Sequence, residues 1–190
     1  MAAKKTTQIS DQQVLRIDVA DLPSGHPQIR AKDWTCPLVL RLLADTSYSD
    51  GSGRIEDSFR RMGSESPVDS AVELRWIGLE EECEQVRRTY QAPVITEMAT
   101  LGLACVLMSK RAGLQITEVT KRRDKADYWI GDKEYLLEVS GEQSGNLADL
   151  CKRKAKQLLA NPFGKPGFVC VAIYDRAGAR LWFYEEEEKD

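Results

Sequence analysis

The stretch that decides the fold is Lys125-Ala-Asp-Tyr-Trp-Ile-Gly-Asp-Lys-Glu-Tyr-Leu-Leu-Glu-Val-Ser-Gly141. Two short apolar runs flank a tight turn, the pattern of a β-hairpin. If Asp132 and Lys133 are the central turn residues, position i pairs with 265 − i and Asp127 lies directly opposite Glu138. If Gly131 and Asp132 are central, the sum is 263 and Glu138 is the diagonal neighbour of Asp127. Facing alternates with period two, so both registers put the two carboxylates on one face, and Ser140 shares it.

Like charges side by side on a sheet are destabilising. A divalent cation offsets them directly: Mg²⁺ takes one or two carboxylates plus waters and phosphate oxygens. It can activate a water and neutralise charge on a phosphoryl group. Geometry alone favours the plainer alternative, an exposed sheet face on which both carboxylates are solvated.

Outward from the hairpin the pattern is regular. Glu97 to Lys110 reads as a helix, with Thr96 as its N-cap and Gly113 as its stop. It is apolar nearly all round, which predicts burial. Leu114–Thr120, Ala126–Ile130 and Glu134–Ser140 read as three strands. Asn146–Ala160 reads as a helix capped by Asn146 or Ser144, with an apolar stripe of Leu147, Leu150, Cys151, Ala155 and Leu158. Phe168–Tyr174 is a continuous apolar strand, the signature of a sheet centre, and Arg180–Tyr184 closes the domain. The expectation is an α/β fold, a mixed central sheet flanked by helices.

In this order of elements, and in its acidic pair, the segment from about residue 95 to 175 resembles the PD-(D/E)xK nuclease-like superfamily of restriction endonucleases, Holliday-junction resolvases and repair nucleases. The resemblance implies an α-β-β-β-α-β core and metal-dependent hydrolysis of phosphodiester bonds in nucleic acid, with DNA favoured over RNA but the two not distinguished by the sequence. It implies Asp127 as the strand-two acid and Glu138 as the first residue of the third-strand motif, both ligands of Mg²⁺ or Mn²⁺. Glu97 would be the acid of the first helix. Two departures stand out. Ala126 precedes Asp127 where the family commonly has Pro, which changes little. In Glu138-Val139-Ser140 a serine stands where the family has lysine, and a hydroxyl cannot supply that positive charge. Some members carry the lysine on the next helix. Here that helix holds Lys152, Arg153, Lys154 and Lys156, of which Lys154 lies nearest the apolar stripe. The catalytic candidates are Glu97, Asp127, Glu138, Ser140 and Lys154, and Gln143 lies within reach of the end of the third strand.

Basic residues gather beside this motif. Lys110 and Arg111 end the first helix, Lys121, Arg122, Arg123 and Lys125 fill the turn before Asp127, and Lys152, Arg153 and Lys156 line the second helix. Lys121, Arg122, Arg123, Lys152, Arg153 and Lys156 are candidates for phosphate contacts. A solvated basic helix face is the ordinary alternative. Gly141-Glu-Gln-Ser-Gly145 lacks the G-x-x-x-x-G-K-[ST] pattern and reads as a loop feeding a helix. Tyr128, Trp129, Trp182, Phe183 and Tyr184 read as packing residues.

The first ninety residues form an N-terminal extension resembling nothing nameable, and 91–190 form the nuclease-like core with an acidic tail, Glu185–Glu188. Gln12–Ala20 alternates as a strand, Pro37–Ala44 is a short helix, and Thr46–Gly53 is a loop. Arg54–Met62 fits a helical turn or two, Val72–Gly78 is ambiguous, and Leu79–Tyr90 is a charged helix.

The whole chain of 190 residues carries 27 Lys and Arg against 30 Asp and Glu, a net charge of −3 that rules out a uniformly basic nucleic-acid coat but not a local patch. The longest apolar run, Met98–Met108, falls short of the about 20 residues a bilayer needs. The N-terminus has no apolar signal region. Five cysteines with no C-x-x-C pattern fit a reducing cytoplasm. His26, between turn residues, reads as a loop histidine. Two functions follow: a metal-dependent nuclease, or a catalytically inactive nuclease-like scaffold that binds nucleic acid or a protein partner in a DNA-processing or defence complex. A homodimer and an unrelated α/β interaction module are further alternatives.

Overall fold

The computed structural model describes residues 13–43 and 50–185. Among them the chain runs β1 (Val14–Asp18), α1 (Thr35–Leu42), β2 (Asp50–Arg60), β3 (Val68–Ile77), α2 (Glu80–Thr89), α3 (Ala92–Leu107), β4 (Ile116–Val119), β5 (Tyr128–Ile130), β6 (Tyr135–Glu142), α4 (Leu147–Leu159), β7 (Gly167–Ile173) and β8 (Gly178–Tyr184). Short 3-10 turns lie at Val19–Gly25 and Ala31–Trp34, and a π turn at Met108–Ala112 extends α3. The polar first ten residues, the start of the expected loop at 46–49 and Glu186–Glu188 of the acidic tail lie outside the described residues.

All eight strands belong to one mixed sheet in the order β1-β3-β2-β8-β7-β6-β5-β4. From residue 92 to 173 the order is helix, three strands, helix, strand, as the pattern predicts. β4, β5 and β6 pair antiparallel, and α4 carries the chain across to β7, which pairs parallel with β6. Every residue of β7 is buried, as its unbroken apolar run requires of a central strand. The N-terminal strands continue this sheet, because β2 pairs parallel with β8.

Two apolar layers sandwich the sheet. Leu137, Phe168 and Cys170 pack with α1 and α3 on one face. Leu136, Val169 and Val171 pack with Leu150, Cys151, Ala155 and Leu158 of α4 on the other. Gly141 marks the close approach of β6 to α3: a Cβ there would collide with Thr100 Oγ1.

Several local expectations are corrected. α3 begins at Ala92, with Gln91 extended at the N-cap and Pro93 in the first turn, where its missing N–H costs no hydrogen bond. Thr96 is therefore interior and donates its hydroxyl to Ala92 O at 2.9 Å. α3 and the π turn make a 21-residue apolar helix, but 61% of its most apolar window is buried inside the fold, as in a core helix. Asn146 does cap α4, accepting from Ala148 N–H and Asp149 N–H, a cap of about 1 kcal/mol.

Arg54–Met62 is not helical; residues 50–60 are strand β2. The alternation is real, but Asp57 occupies a core-facing position and breaks the apolar count. Its side chain is buried against Arg111, whose Nη2 donates to Asp57 Oδ1 at 3.0 Å and to the carbonyls of Ala71 and Gln13. Arg111 thus ties the end of α3 to the N-terminal strands and is not part of an exposed basic patch.

His26 does lie in a connecting segment, yet it is wholly buried. Its Nδ1 accepts from Ile116 N–H at 2.9 Å, which leaves Nε2 protonated to donate to Cys105 O at 2.8 Å. The neutral ring bridges α3 to β4, and burial holds its pKa below the ordinary value.

Candidate functional site

The β5–β6 register is Tyr128↔Leu137, Trp129↔Leu136 and Ile130↔Tyr135, which is the arrangement with Asp132 and Lys133 central. Regular pairing ends at Tyr128, and Asp127 stands just beyond it. Its N–H donates to Leu137 O at 2.9 Å, and its Oδ2 accepts from Val139 N–H at 2.7 Å. The carboxylate thus takes the place of a backbone carbonyl and is held at the mouth of the hairpin.

Glu138 follows Leu137 on β6 and so faces α4, the same layer as Leu136. Its side chain is 1% exposed and meets Lys154 Nζ at 2.5 Å through Oε1. Lys154 stands four residues after Leu150 and four before Leu158, so helical periodicity aims it at the sheet. Its ammonium also donates to Gln157 Oε1 at 3.3 Å. The positive charge missing at Ser140 is therefore present in space, delivered from the next helix. Glu138 Oε2 is buried with no hydrogen-bond partner among the described residues.

The electrostatics follow from this packing. Burial pushes the Glu138 carboxyl up to about 7, the Asp127 charge adds to the rise, and the hydrogen bond and charge of Lys154 oppose it. Burial also raises Asp127; the Val139 N–H and Lys154 pull it down, and Glu97 pushes it up. The two carboxylates and the ammonium are one interacting group.

A cleft of about 280 Å³ is lined by Glu97, Leu101, Val119, Asp127, Tyr128, Val139, Ser140 and Lys154; Glu138 is wholly enclosed and does not line it. Glu97 is exposed and comes from α3, the opposite layer from Lys154. Its charge raises the Asp127 carboxyl pKa. Ser140 lines the cleft and offers a hydroxyl. Gln143 is exposed and is not among the lining residues. Of the apolar wall, Leu101 and Val119 were not singled out by the sequence, although Leu101 is one helical turn beyond Glu97, and Tyr128, which directly follows Asp127, was read only as a packing residue.

No family model, curated protein or solved structure matches the chain. The chemistry open to the cleft therefore follows from its own side chains.

Among the described residues no three or more His, Cys, Asp or Glu side chains are arranged to hold a metal ion. Asp127 and Glu138 offer carboxylate oxygens, the donor type that Mg²⁺ or Mn²⁺ takes, with Glu138 enclosed and paired with Lys154. The basic candidates divide into two groups. Lys121, Arg122 and Arg123 are exposed in the β4–β5 turn, which Asp124 Oδ2 fastens by accepting from Lys121 N–H at 2.7 Å. Arg123 and Lys125 adopt left-handed backbone there, with φ of 87° and 64°. Lys152, Arg153 and Lys156 lie on the outer side of α4, and Arg153 pairs with Glu142 at 2.6 Å.

Proposed function

We propose that the chain is a metal-dependent nuclease that hydrolyses phosphodiester bonds, with DNA as the favoured substrate. The observation that carries this reading is that Asp127 and Lys154 line one cleft while Lys154 pairs with the enclosed Glu138, whose Oε2 is left without a partner among the described residues. The element order around it is the one expected of the PD-(D/E)xK nuclease-like superfamily, with the lysine moved to the following helix.

In this reading Asp127 and Glu138 hold the divalent cation. The bound cation supplies charge neutralisation at the phosphate and acidifies a water. The Val139 N–H fixes Asp127 in the orientation needed for binding. Lys154 favours the ionised form of Glu138 against the burial that raises its pKa, and its remaining proton would face developing charge on a phosphate oxygen. Glu97 lies where it can orient water, and Ser140 can hydrogen-bond the substrate. Lys121, Arg122 and Arg123 lead the backbone toward Asp127, while Lys152 and Lys156 extend the cationic surface over α4.

The test is cleavage of single- and double-stranded DNA and of RNA by the full chain with Mg²⁺ or Mn²⁺. Activity should vanish with chelator and fall by about 100-fold or more in Asp127→Ala and Glu138→Ala. Absence of cleavage under all these conditions would exclude the nuclease reading. A second reading is favoured by the enclosure of Glu138, which does not line the cleft that Glu97 lines: an inactive scaffold of the same architecture that binds nucleic acid or a protein partner. That reading expects binding without cleavage.

A further inference from the structure

The sheet face under α4 is covered only in part. Among the described residues its apolar layer takes in Val169 and Val171 of β7, with Trp182 and Tyr184 of β8 packed against it, and nothing from β1, β2 or β3. The register carries this face outward: Arg180 lies beside Ser58 of β2, and Trp182 beside Arg60. Arg60, Arg180, Trp182 and Tyr184 are all half-buried. The Arg60 guanidinium lies 4.8 Å from the ring centroid of Trp182 and 4.5 Å from that of Tyr184. The Arg180 guanidinium lies 4.4 Å from the centroid of Trp182. Arg60 Nη2 also donates to Phe183 O at 2.9 Å, and Trp182 Nε1 donates to Ser58 Oγ at 3.2 Å.

We propose that this open face, centred on Arg60 and Arg180, docks the phosphate backbone of nucleic acid without regard to base sequence. The choice of nucleic acid as occupant rests on the nuclease-like reading above. Stacking on the rings takes up the faces of the guanidiniums and holds them in place. Their N–H edges remain as donors, the geometry that grips a phosphate through paired bonds. Among the described residues neither guanidinium forms an ion pair with a carboxylate. Glu56 and Asp69 share the face and are exposed, and Glu73 farther out is engaged by Arg16 and Arg75. Two cations gathered on one indole repel each other, and a polyanion laid across both relieves that repulsion.

The positive charge continues onto α4. Cys151 Sγ lies 3.3 Å from the Tyr184 hydroxyl, which sets that flank of the helix against β8. Lys152 follows it and is exposed on the same flank, whereas Arg153 turns toward β6 and pairs with Glu142. Arg60, Arg180 and Lys152 thus come from three elements along one open surface, which suits an extended strand of phosphates better than a single anion. The track runs on the β8 side of α4, while Lys154 meets Glu138 on the β6 side. Arginine occupies the π-faces that a base would need at Trp182, so the contacts position the backbone and carry no sequence information.

The experiment measures binding of fluorescein-labelled duplex DNA to the full chain by anisotropy across a salt series. EDTA is present throughout, so cleavage plays no part. Two duplexes of unrelated sequence should bind the wild type equally. Arg60→Ala with Arg180→Ala should weaken binding by about tenfold or more. It should also flatten the slope of log affinity against log salt by about 1.8, at about 0.9 for each lost phosphate contact. Arg180→Ala alone, which gives up only the stack on Trp182, should flatten it by about 0.9 and keep its circular dichroism spectrum. That single variant decides the matter if the double one does not fold. Affinity and slope unchanged in Arg180→Ala overturn the proposal, as does a strong preference for one duplex. Labelled poly-glutamate bound as tightly as DNA, and lost in the same variant, would assign the face to an acidic polypeptide and also overturn it. Cleavage by the wild type with unchanged binding in the arginine variants defeats this proposal alone. The expected binding without cleavage under any metal condition defeats the nuclease reading alone.

Discussion

Lys154 Nζ lies 2.5 Å from Glu138 Oε1, joining a helix residue to a strand residue sixteen positions away in a setting where the carboxylate is almost fully enclosed. The pair decides the charge state of the cleft. An ionised Glu138 without Lys154 would be an unpaired buried charge.

Lys154→Met should therefore destabilise the metal-free protein, and by more at high pH. The folded Glu138 pKa of about 7 lies above the ordinary 4.5. Between these values the folded chain keeps a proton that the unfolded chain has lost, so this group's contribution falls as pH rises through the window. Losing Lys154 moves the folded pKa higher and extends the loss past neutrality. Urea unfolding at pH 8 should show a cost of about 3 kcal/mol, clearly smaller at pH 5. Adding Glu138→Gln should recover most of it. Equal costs at both pH values would contradict this coupling.

His26 gives the opposite pH dependence. Burial lowers its folded pKa from 6.5, and a second ring proton would break the acceptor bond to Ile116 N–H. The stability it contributes is complete above 6.5 and is lost as pH falls below it toward the folded value. His26→Ala should cost about 3 kcal/mol at pH 7.5 by leaving two buried backbone groups unpaired. The variant should also show a shallower decline of Tm between pH 6.5 and 5 than the wild type.

Arg111 and Asp57 fasten the N-terminal strands to the end of α3. Arg111→Ala leaves Asp57 buried with only Ser70 as a partner and should cost about 3–5 kcal/mol in urea unfolding. Arg111→Lys keeps the charge but cannot reproduce the forked contact to carboxylate and carbonyls, so it should recover only part of the loss.

If the two basic segments touch phosphates, their removal should show in the salt dependence of binding. Each phosphate that a variant no longer neutralises reduces the slope of log affinity against log salt by about 0.9 on duplex DNA. Lys121→Ala with Arg122→Ala and Arg123→Ala, and separately Lys152→Ala with Lys156→Ala, should each flatten the slope measured by fluorescence anisotropy. Arg153→Ala should change it less, because that guanidinium is already paired with Glu142. Unchanged slopes would place nucleic acid elsewhere or nowhere.

What the sequence made legible were local periodicities. Lys154 could be aimed inward because it shares the helical face of Leu150 and Leu158. Asp127 and Glu138 could be placed together because a two-residue hairpin centre leaves few registers. Long-range satisfaction of polar groups was not legible. The partners of His26 lie 79 and 90 positions away, so its burial had no local mark among the Gly and Pro residues around it. β2 was hidden by Asp57, a charge at a core-facing position whose partner Arg111 is 54 residues distant. The start of α3 was misplaced because Thr96 resembles a cap, whereas Pro93 earlier in the chain sets the first turn.

Mn²⁺ binding to the metal-free full chain, followed by the paramagnetic resonance signal of the free ion, goes straight to whether Asp127 and Glu138 act as one divalent-cation site. A bound ion in the wild type, lost in both Asp127→Asn and Glu138→Gln while each variant keeps its circular dichroism spectrum, is the expected outcome. A wild type that binds no Mn²⁺, or variants that bind it as the wild type does, would contradict a cation site built on these two carboxylates.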